Sequence, residues 1–488
     1  MEDRQGRKLT KTFLLSNVIT LFVIAFVCYG VITDKIVIAA GIALLPLMLL
    51  IMAGAFEKKR IAFYCLFIIN FLIPVLAHYL KSFPTGLLMD IMICFNLLVI
   101  FANSLTHKNN YKSISLDVVL AVGVWLIYCL LEVFNPTGIG KAWVSTIRNM
   151  AVYFLVVIVL AQIMLDRLDY AKELLGIWSV IVVLAVIKAF AQKYIGFTKG
   201  DLYFLNEMDG ARTHIIQYGT RYFSFFSDAA NFGGSMGFAM VVFAILGLHT
   251  KNTIIKIYLW VVAALACYGM LISGTRSALV VPVAGVMLYL VLVRDWKKTI
   301  ITGAVLAAAI FLLGFTNIGS SNTSIRRART LFHKDEDKSY IIRKENRAKM
   351  KVYMKEFPLG NGLGLSAGRA QKYGYYAPIT EIPTDSWYVQ LWVETGIIGL
   401  LLYFMVMGYL FVKGGIIVFF KLKNPEVKGI AAALLSGIAG LFVMSSNQEV
   451  FSQFPNGILV YTGFAIIFLS EKYDKEYLLP AQNIDNID

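Results

Sequence analysis

The residues of this 488-residue chain with the chemistry to hold or transform a ligand fall in four clusters. RYFSFFSDAANFGG (221–234) carries Arg221, Ser224, Asp228 and Asn231, and SGTRSA (273–278) carries Arg276. Arg343 stands fifteen residues before Pro358, which opens the glycine-rich PLGNGLG (358–364). PTDSWYVQLWVETGIIGL (383–400) carries Asp385, Ser386 and Glu394. A guanidinium fork binds phosphate oxygens bidentately and stays charged, so two arginines facing one space suit a diphosphate. A carboxylate beside them, Asp385, would serve as general base or orient a hydroxyl nucleophile. A helix N-terminus favours the ionised carboxylate and weakens it as a base near neutrality; burial or a neighbouring anion does the reverse.

Each residue also has a purely structural reading. Arg221 would snorkel to lipid headgroups, Arg276 would hold a lipid phosphate from a tight turn, and Arg343 would be one charge on a solvated helix face. The three glycines of PLGNGLG would only shape a loop. Asp385 is a natural N-cap with Ser386 in the first turn, and Glu394 would satisfy a polar group of a neighbouring helix. Arg148, at the expected outer start of a span, and Glu132, near the outer end of the one before, are secondary candidates for the same cavity, as are Asp228, Ser386 and Glu394.

The elements that must position these residues are membrane spans. The chain is 58% hydrophobic and only 15% charged, with mean hydropathy +0.70, whereas soluble domains run nearer a quarter charged. Apolar runs of about twenty residues define an all-α, polytopic membrane protein of about fourteen spans: about 12–33, 35–56, 61–80, 86–105, 116–134, 148–166, 173–194, 229–248, 254–273, 276–294, 298–316, 386–413, 427–446 and 451–470. The division that follows is N-terminal spans in 1–195, an external loop over 196–228, core spans in 229–316, a large external loop over 317–385, C-terminal spans in 386–470 and a cytoplasmic tail from 471 to 488.

The net charge of +15 sits almost entirely between spans, so it marks basic membrane loops rather than a nucleic-acid surface. Lys58, Lys59 and Arg60, Lys108 and Lys112, Lys251 and Lys256, Arg294, Lys297 and Lys298, and Lys421, Lys423 and Lys428 all fall on one side of that topology with the basic N-terminus. That side is cytoplasmic, both termini lie on it, and all four clusters lie on the other. The large loop holds thirteen Lys or Arg against seven Asp or Glu, and RKENRAKMKVYMKEF (343–357) alternates apolar and basic residues as an amphipathic helix lying on membrane lipids would. The five cysteines fall inside spans and the five histidines are scattered, so no disulfide framework or metal site is expected.

Taken in order, an arginine just before SDAANFGG, the S-x-x-R turn of SGTRSA, Arg343 upstream of PLGNGLG, and a polar pair opening a helix that continues ETGIIG resemble the O-antigen ligase and Wzy-type polymerase superfamily. These are bacterial inner-membrane glycosyltransferases of the GT-C class. The resemblance covers about residues 215–400. It implies a polyprenyl-pyrophosphate-linked glycan donor, a glycan or lipid A core acceptor, an inverting, metal-independent transfer without a cofactor on the periplasmic face, and a chain-length regulator as a further partner. The family's substrate-handling arginines fall on Arg221 and Arg276, with Arg343 in place of the arginine before the Pro-Gly loop. Ligases carry His-Asn nine residues before the glutamate that matches Glu394, where this chain has Asp385-Ser386. An acid there looks like the polymerase members, which makes repeat-unit polymerase the first reading and ligase the alternative. A transporter or flippase, the reading from another class, would need two related halves with charges near the bilayer midplane.

Overall fold

A computed structural model describes residues 51, 53–79, 84–106, 111–208, 210–216, 219–293 and 338–478. The expected spans at about 12–33 and 298–316 and most of that at 35–56 lie outside the described residues. So do Cys28, His107, His333, the loop over 317–337 and the last ten residues of the tail. The helices are α1 (Lys59–Tyr79), α2 (Gly86–Thr106), α3 (Leu116–Leu131), α4 (Gly140–Ile147), α5 (Tyr153–Met164), α6 (Leu168–Tyr194), α7 (Lys199–Glu207) and α8 (Ala211–His214). A two-residue hairpin, β1 (Ile215–Ile216) with β2 (Gly219–Thr220), leads to α9 (Ala229–His249), α10 (Thr253–Ile272) and α11 (Val280–Val293). From residue 338 onward come α12 (Lys338–Tyr353), α13 (Ala367–Gln371), α14 (Trp387–Ile416), α15 (Pro425–Met444) and α16 (Asn456–Leu478).

Among the described residues ten helical segments are long and apolar enough to cross a membrane, as an all-α polytopic membrane protein requires. The expected span at about 451–470 is realised as α16, which starts at Asn456 and runs on through Glu471 and Lys472; it is not one of the ten. The expected span at about 148–166 begins earlier: α4 runs from Gly140 and passes through one wide turn, Arg148–Val152, into α5. Arg148 is therefore two turns inside a continuous span, not at its mouth.

The chain divides into two compact units, residues 1–62 with 95–108, and residues 63–94 with 109–488. In the first, the Asn96 side chain donates to the Ala62 carbonyl across 3.1 Å, and Phe56 meets Phe95 edge to face. The second holds all four clusters. Its centre is α9, buried almost throughout from Ala229 to Gly247 and packed against α10, α11 and α15. Small residues permit this closeness: a Cβ on Gly233 would stand 2.4 Å from Ser273 Oγ, and one on Gly437 would stand 2.2 Å from the Phe238 ring. The amphipathic helix α12 buries Met350, and Met354 beyond its end, against Ile379 and against Val393 of α14.

Candidate active site

Arg221 follows the hairpin and is held from three sides. Its amide donates to the His214 carbonyl (2.8 Å), Nη1 to the Thr213 carbonyl (3.1 Å) and Nη2 to Thr275 Oγ1 (2.8 Å). Thr275 in turn donates to the Ala229 carbonyl, tying the SGTRSA turn to the start of α9. Arg221 Nε is buried and has no hydrogen-bond partner. His214 closes the ring. Its Nε2 accepts the Ala229 amide (3.0 Å) while Nδ1 lies 2.8 Å from the Gly210 carbonyl, which requires the neutral Nδ1–H tautomer. Burial lowers the His214 pKa and so supports that form.

The two acids that precede helices are held differently. Asp228 is the helix cap: its Oδ1 accepts the amides of Ala230 (2.8 Å) and Asn231 (2.9 Å) at the start of α9. Asp385 is not a cap. Ser386 occupies the N-cap position of α14 without a side-chain capping bond, its hydroxyl donating instead to the Ser445 carbonyl (3.1 Å). Asp385, one residue earlier, holds φ 52°, a left-handed backbone few non-glycine residues adopt. Its carboxyl is thus free of the helix end, whose first amide, Trp387 N–H, goes to the carbonyls of Ser445 and Gln448. Burial raises the Asp385 pKa, while Arg343 and Arg347 pull it down, leaving it above the ordinary aspartate value. The lowering expected from a helix N-terminus is overturned by desolvation.

Asp385 and Arg221 line one cavity of about 340 Å³, together with Asp228, Thr384, Arg369 and Glu449. Arg276 and Arg343 are not in its lining, yet both are close enough to oppose the Arg221 charge, which Asp228 supports and burial weakens. Arg343 acts on Asp385 as well. The lining thus holds two guanidinium groups, Arg221 and Arg369, and three carboxyls, Asp228, Asp385 and Glu449, with Arg276 and Arg343 acting on Arg221 from outside it. Arg369, Gln448, Glu449 and Gln453 were not foreseen. Arg369 pairs with Glu449, which also accepts from Thr384 Oγ1. The polar run NQEVFSQ between two apolar segments was the available signal; placing the last span's start at 451 hid half of it.

Two expected members belong elsewhere. Arg148 is paired with the half-buried Asp90, and Tyr153 donates to the same carboxylate. Glu132 accepts Asn135 Nδ2 (2.9 Å) and fixes the turn after α3. Neither lines the cavity. Each is engaged by side chains of neighbouring residues, although Arg148 Nε, like Arg221 Nε, is buried without a hydrogen-bond partner.

Glu394 is also structural, and it explains PLGNGLG. α14 breaks at Gly396 (φ 66°, ψ −173°), which frees the carbonyls that a straight helix would use. The loop supplies the missing partners: Asn361 N–H donates to Val393 O (2.8 Å), Gly362 N–H to Glu394 O (3.0 Å), and Ile397 N–H to Pro358 O (3.2 Å). Tyr128 Oη serves Thr395 O (2.8 Å). The Glu394 carboxylate, fully buried, accepts Gly364 N–H (3.0 Å), Ser366 Oγ–H and Gln390 Nε2–H (3.1 Å). From the other side Asn135 and Thr137 donate to the Leu359, Gly360 and Asn361 carbonyls. Glu394→Gln would turn an amide hydrogen toward donors already aimed at Oε1 or Oε2, so we expect a loss of about 2–3 kcal/mol, read as a fall in the detergent-solubilised unfolding temperature.

Among the described residues no three His, Cys, Asp or Glu side chains converge as a metal site would require. The fold and this cavity define a polytopic membrane protein with a partly enclosed, charged chamber lined by Arg221, Arg369, Asp228, Asp385 and Glu449. Residues 261–404 match the family model described as O-Antigen ligase, which bears out the resemblance to the O-antigen ligase and Wzy-type polymerase superfamily and implies a bacterial membrane enzyme of ligase or polymerase type. The match spans Arg276, Arg343, Asp385, Ser386 and Glu394 and begins beyond Arg221 and Asp228. No curated protein matches the chain.

Proposed function

We propose that the protein polymerises polyprenyl-pyrophosphate-linked oligosaccharide repeat units on the outer face of a bacterial cytoplasmic membrane. An acceptor hydroxyl attacks the anomeric carbon of the donor and loses its proton to Asp385. The bond from that carbon to the lipid diphosphate breaks, the electron pair leaves with the diphosphate, and the configuration inverts. Arg221, with Arg276 and Arg343 beside it, stabilises the charge that develops on the leaving group, in a chamber where such contacts are strong. The observation carrying this reading is the single cavity lined by both Arg221 and Asp385, whose carboxyl does not cap the helix that follows it.

The family description favours ligase, transfer of finished polymer to a lipid A core, as the second reading. Asp385-Ser386 in the His-Asn place favours polymerase. A chromosomal deletion separates them: loss of a polymerase leaves single repeats on the acceptor, and loss of a ligase leaves long chains on the carrier lipid. The short-loop lysines and arginines favour an orientation with both termini cytoplasmic and the chamber outside. Arg221→Ala is expected to lower turnover about 10²–10³-fold, measured as polymer formed from lipid-linked repeats by purified protein. Unchanged turnover in a correctly inserted variant would remove Arg221 from the site.

A further inference from the structure

A second cavity, of about 330 Å³, adjoins the first and shares Arg369 and Gln453 with it. It falls at the small end of the range for ligand pockets. Its walls combine Thr146, Asn149 and Gln390 with the rings of Tyr373 and Trp387. Trp387 Nε1 is engaged by Tyr403 Oη (3.2 Å), which fixes how the indole sits. Hydroxyls and amides beside aromatic rings suit a sugar, whose C–H faces alternate with hydroxyl groups. Lys372 is a solvent-exposed member of the lining. The Arg369 charge is met by Glu449, whereas Lys372 has no ion pair among the described residues. The cavity therefore carries an uncompensated positive charge.

We propose that this second cavity seats the acceptor sugar and that Lys372 selects one bearing a carboxylate, a uronic acid or its equivalent. The inference rests on the transferase reading above and adds the acceptor's chemical class. The geometry of the handover supports it. Asp385 lines the first cavity and Trp387, two residues on, lines the second. A sugar held by Trp387, Asn149 and Lys372 would present its hydroxyl past the Arg369–Gln453 wall to the Asp385 carboxyl. A charge-assisted contact to an exposed side chain is salt-sensitive, which gives a distinct signature.

The test uses the full-length protein in lipid nanodiscs and two probes. One is a panel of bacterial repeat-unit oligosaccharides carrying uronic acids, each with its carboxyl-reduced neutral counterpart; the other is polyprenyl diphosphate. We expect at least one acidic member to bind about tenfold more tightly than its reduced counterpart. That preference should vanish in Lys372→Gln and at high salt. Asn149→Trp, which fills the second cavity, should abolish oligosaccharide binding and leave polyprenyl diphosphate binding unchanged. If no member loses affinity on carboxyl reduction or in Lys372→Gln while polyprenyl diphosphate still binds, this inference is overturned and the transferase reading stands. If polyprenyl diphosphate fails to bind the wild type, both fall.

Discussion

Gly396→Ala is expected to cost about 4 kcal/mol or more and to leave little folded protein in the membrane fraction. The residue sits at φ 66°, ψ −173°, a backbone that essentially only glycine adopts. A Cβ there would lie 2.0 Å from the Pro358 carbonyl oxygen and 2.6 Å from the Gly360 amide nitrogen. Both obstacles are backbone, so no side-chain rotation relieves them. Relief would require expelling PLGNGLG from the break in α14. That would strand the Val393 and Glu394 carbonyls and the Glu394 carboxylate inside the bundle, each at several kcal/mol where no water can replace the lost donor. Gly408, on the same helix with nothing within 4 Å of its would-be Cβ, supplies the control. Gly408→Ala should be tolerated, and fluorescence-detected size exclusion after detergent extraction compares the two. Equal monodisperse yields would show that the loop does not depend on the close approach at Gly396.

The contrast between these two glycines shows how much the sequence could convey. Span positions were legible because hydropathy over twenty residues is a local sum, and ten of the expected spans appear as apolar helical segments, the one expected at about 148–166 starting earlier, at Gly140. ETGIIGLLLYF sums to one apolar span whether or not it is broken. The break at Gly396 depends on a loop thirty-odd residues upstream and a turn near residue 135, and no local count contains them. The same limit explains Arg148. Its charge looked like a span boundary because its partner, Asp90, lies fifty-eight residues away on α2. Local rules also could not separate the acids of S-D-A-A and T-D-S-W, since both place Asp before a helix. Backbone conformation decides between them: Asp228 is extended at φ −164° and caps, whereas Asp385 is left-handed and does not.

That assignment has a functional consequence. A capping carboxylate accepts backbone amides, which occupy its lone pairs. Asp228 is in that position and is a poor choice of base. Asp385, lining the same cavity, is relieved of capping by Ser445 and Gln448, and its pKa rises through burial. The sequence resemblance chose Asp385 by alignment with a ligase histidine; the backbone gives an independent reason for the same choice.

Asp385→Asn is therefore expected to lower the rate of transfer about 10²–10⁴-fold, the usual span for removing a general base, with little change in stability because no helix-end bond is lost. The pH dependence discriminates further. A base acts only when ionised, so the rate should fall as pH falls through the Asp385 pKa. Because burial raises that pKa, the acid limb should lie above the range of an ordinary aspartate. Arg343 opposes the shift, so Arg343→Gln should move the limb further toward neutrality. In Asp385→Asn the limb should disappear along with most of the rate. Polymer formation by purified protein over a pH series, with insertion checked by size exclusion, measures all three. An Asp385→Asn enzyme that keeps the wild-type rate and the same acid limb would assign the proton to another group. Glu449, in the same cavity but engaged by Arg369 and Thr384, would be the next acid to replace.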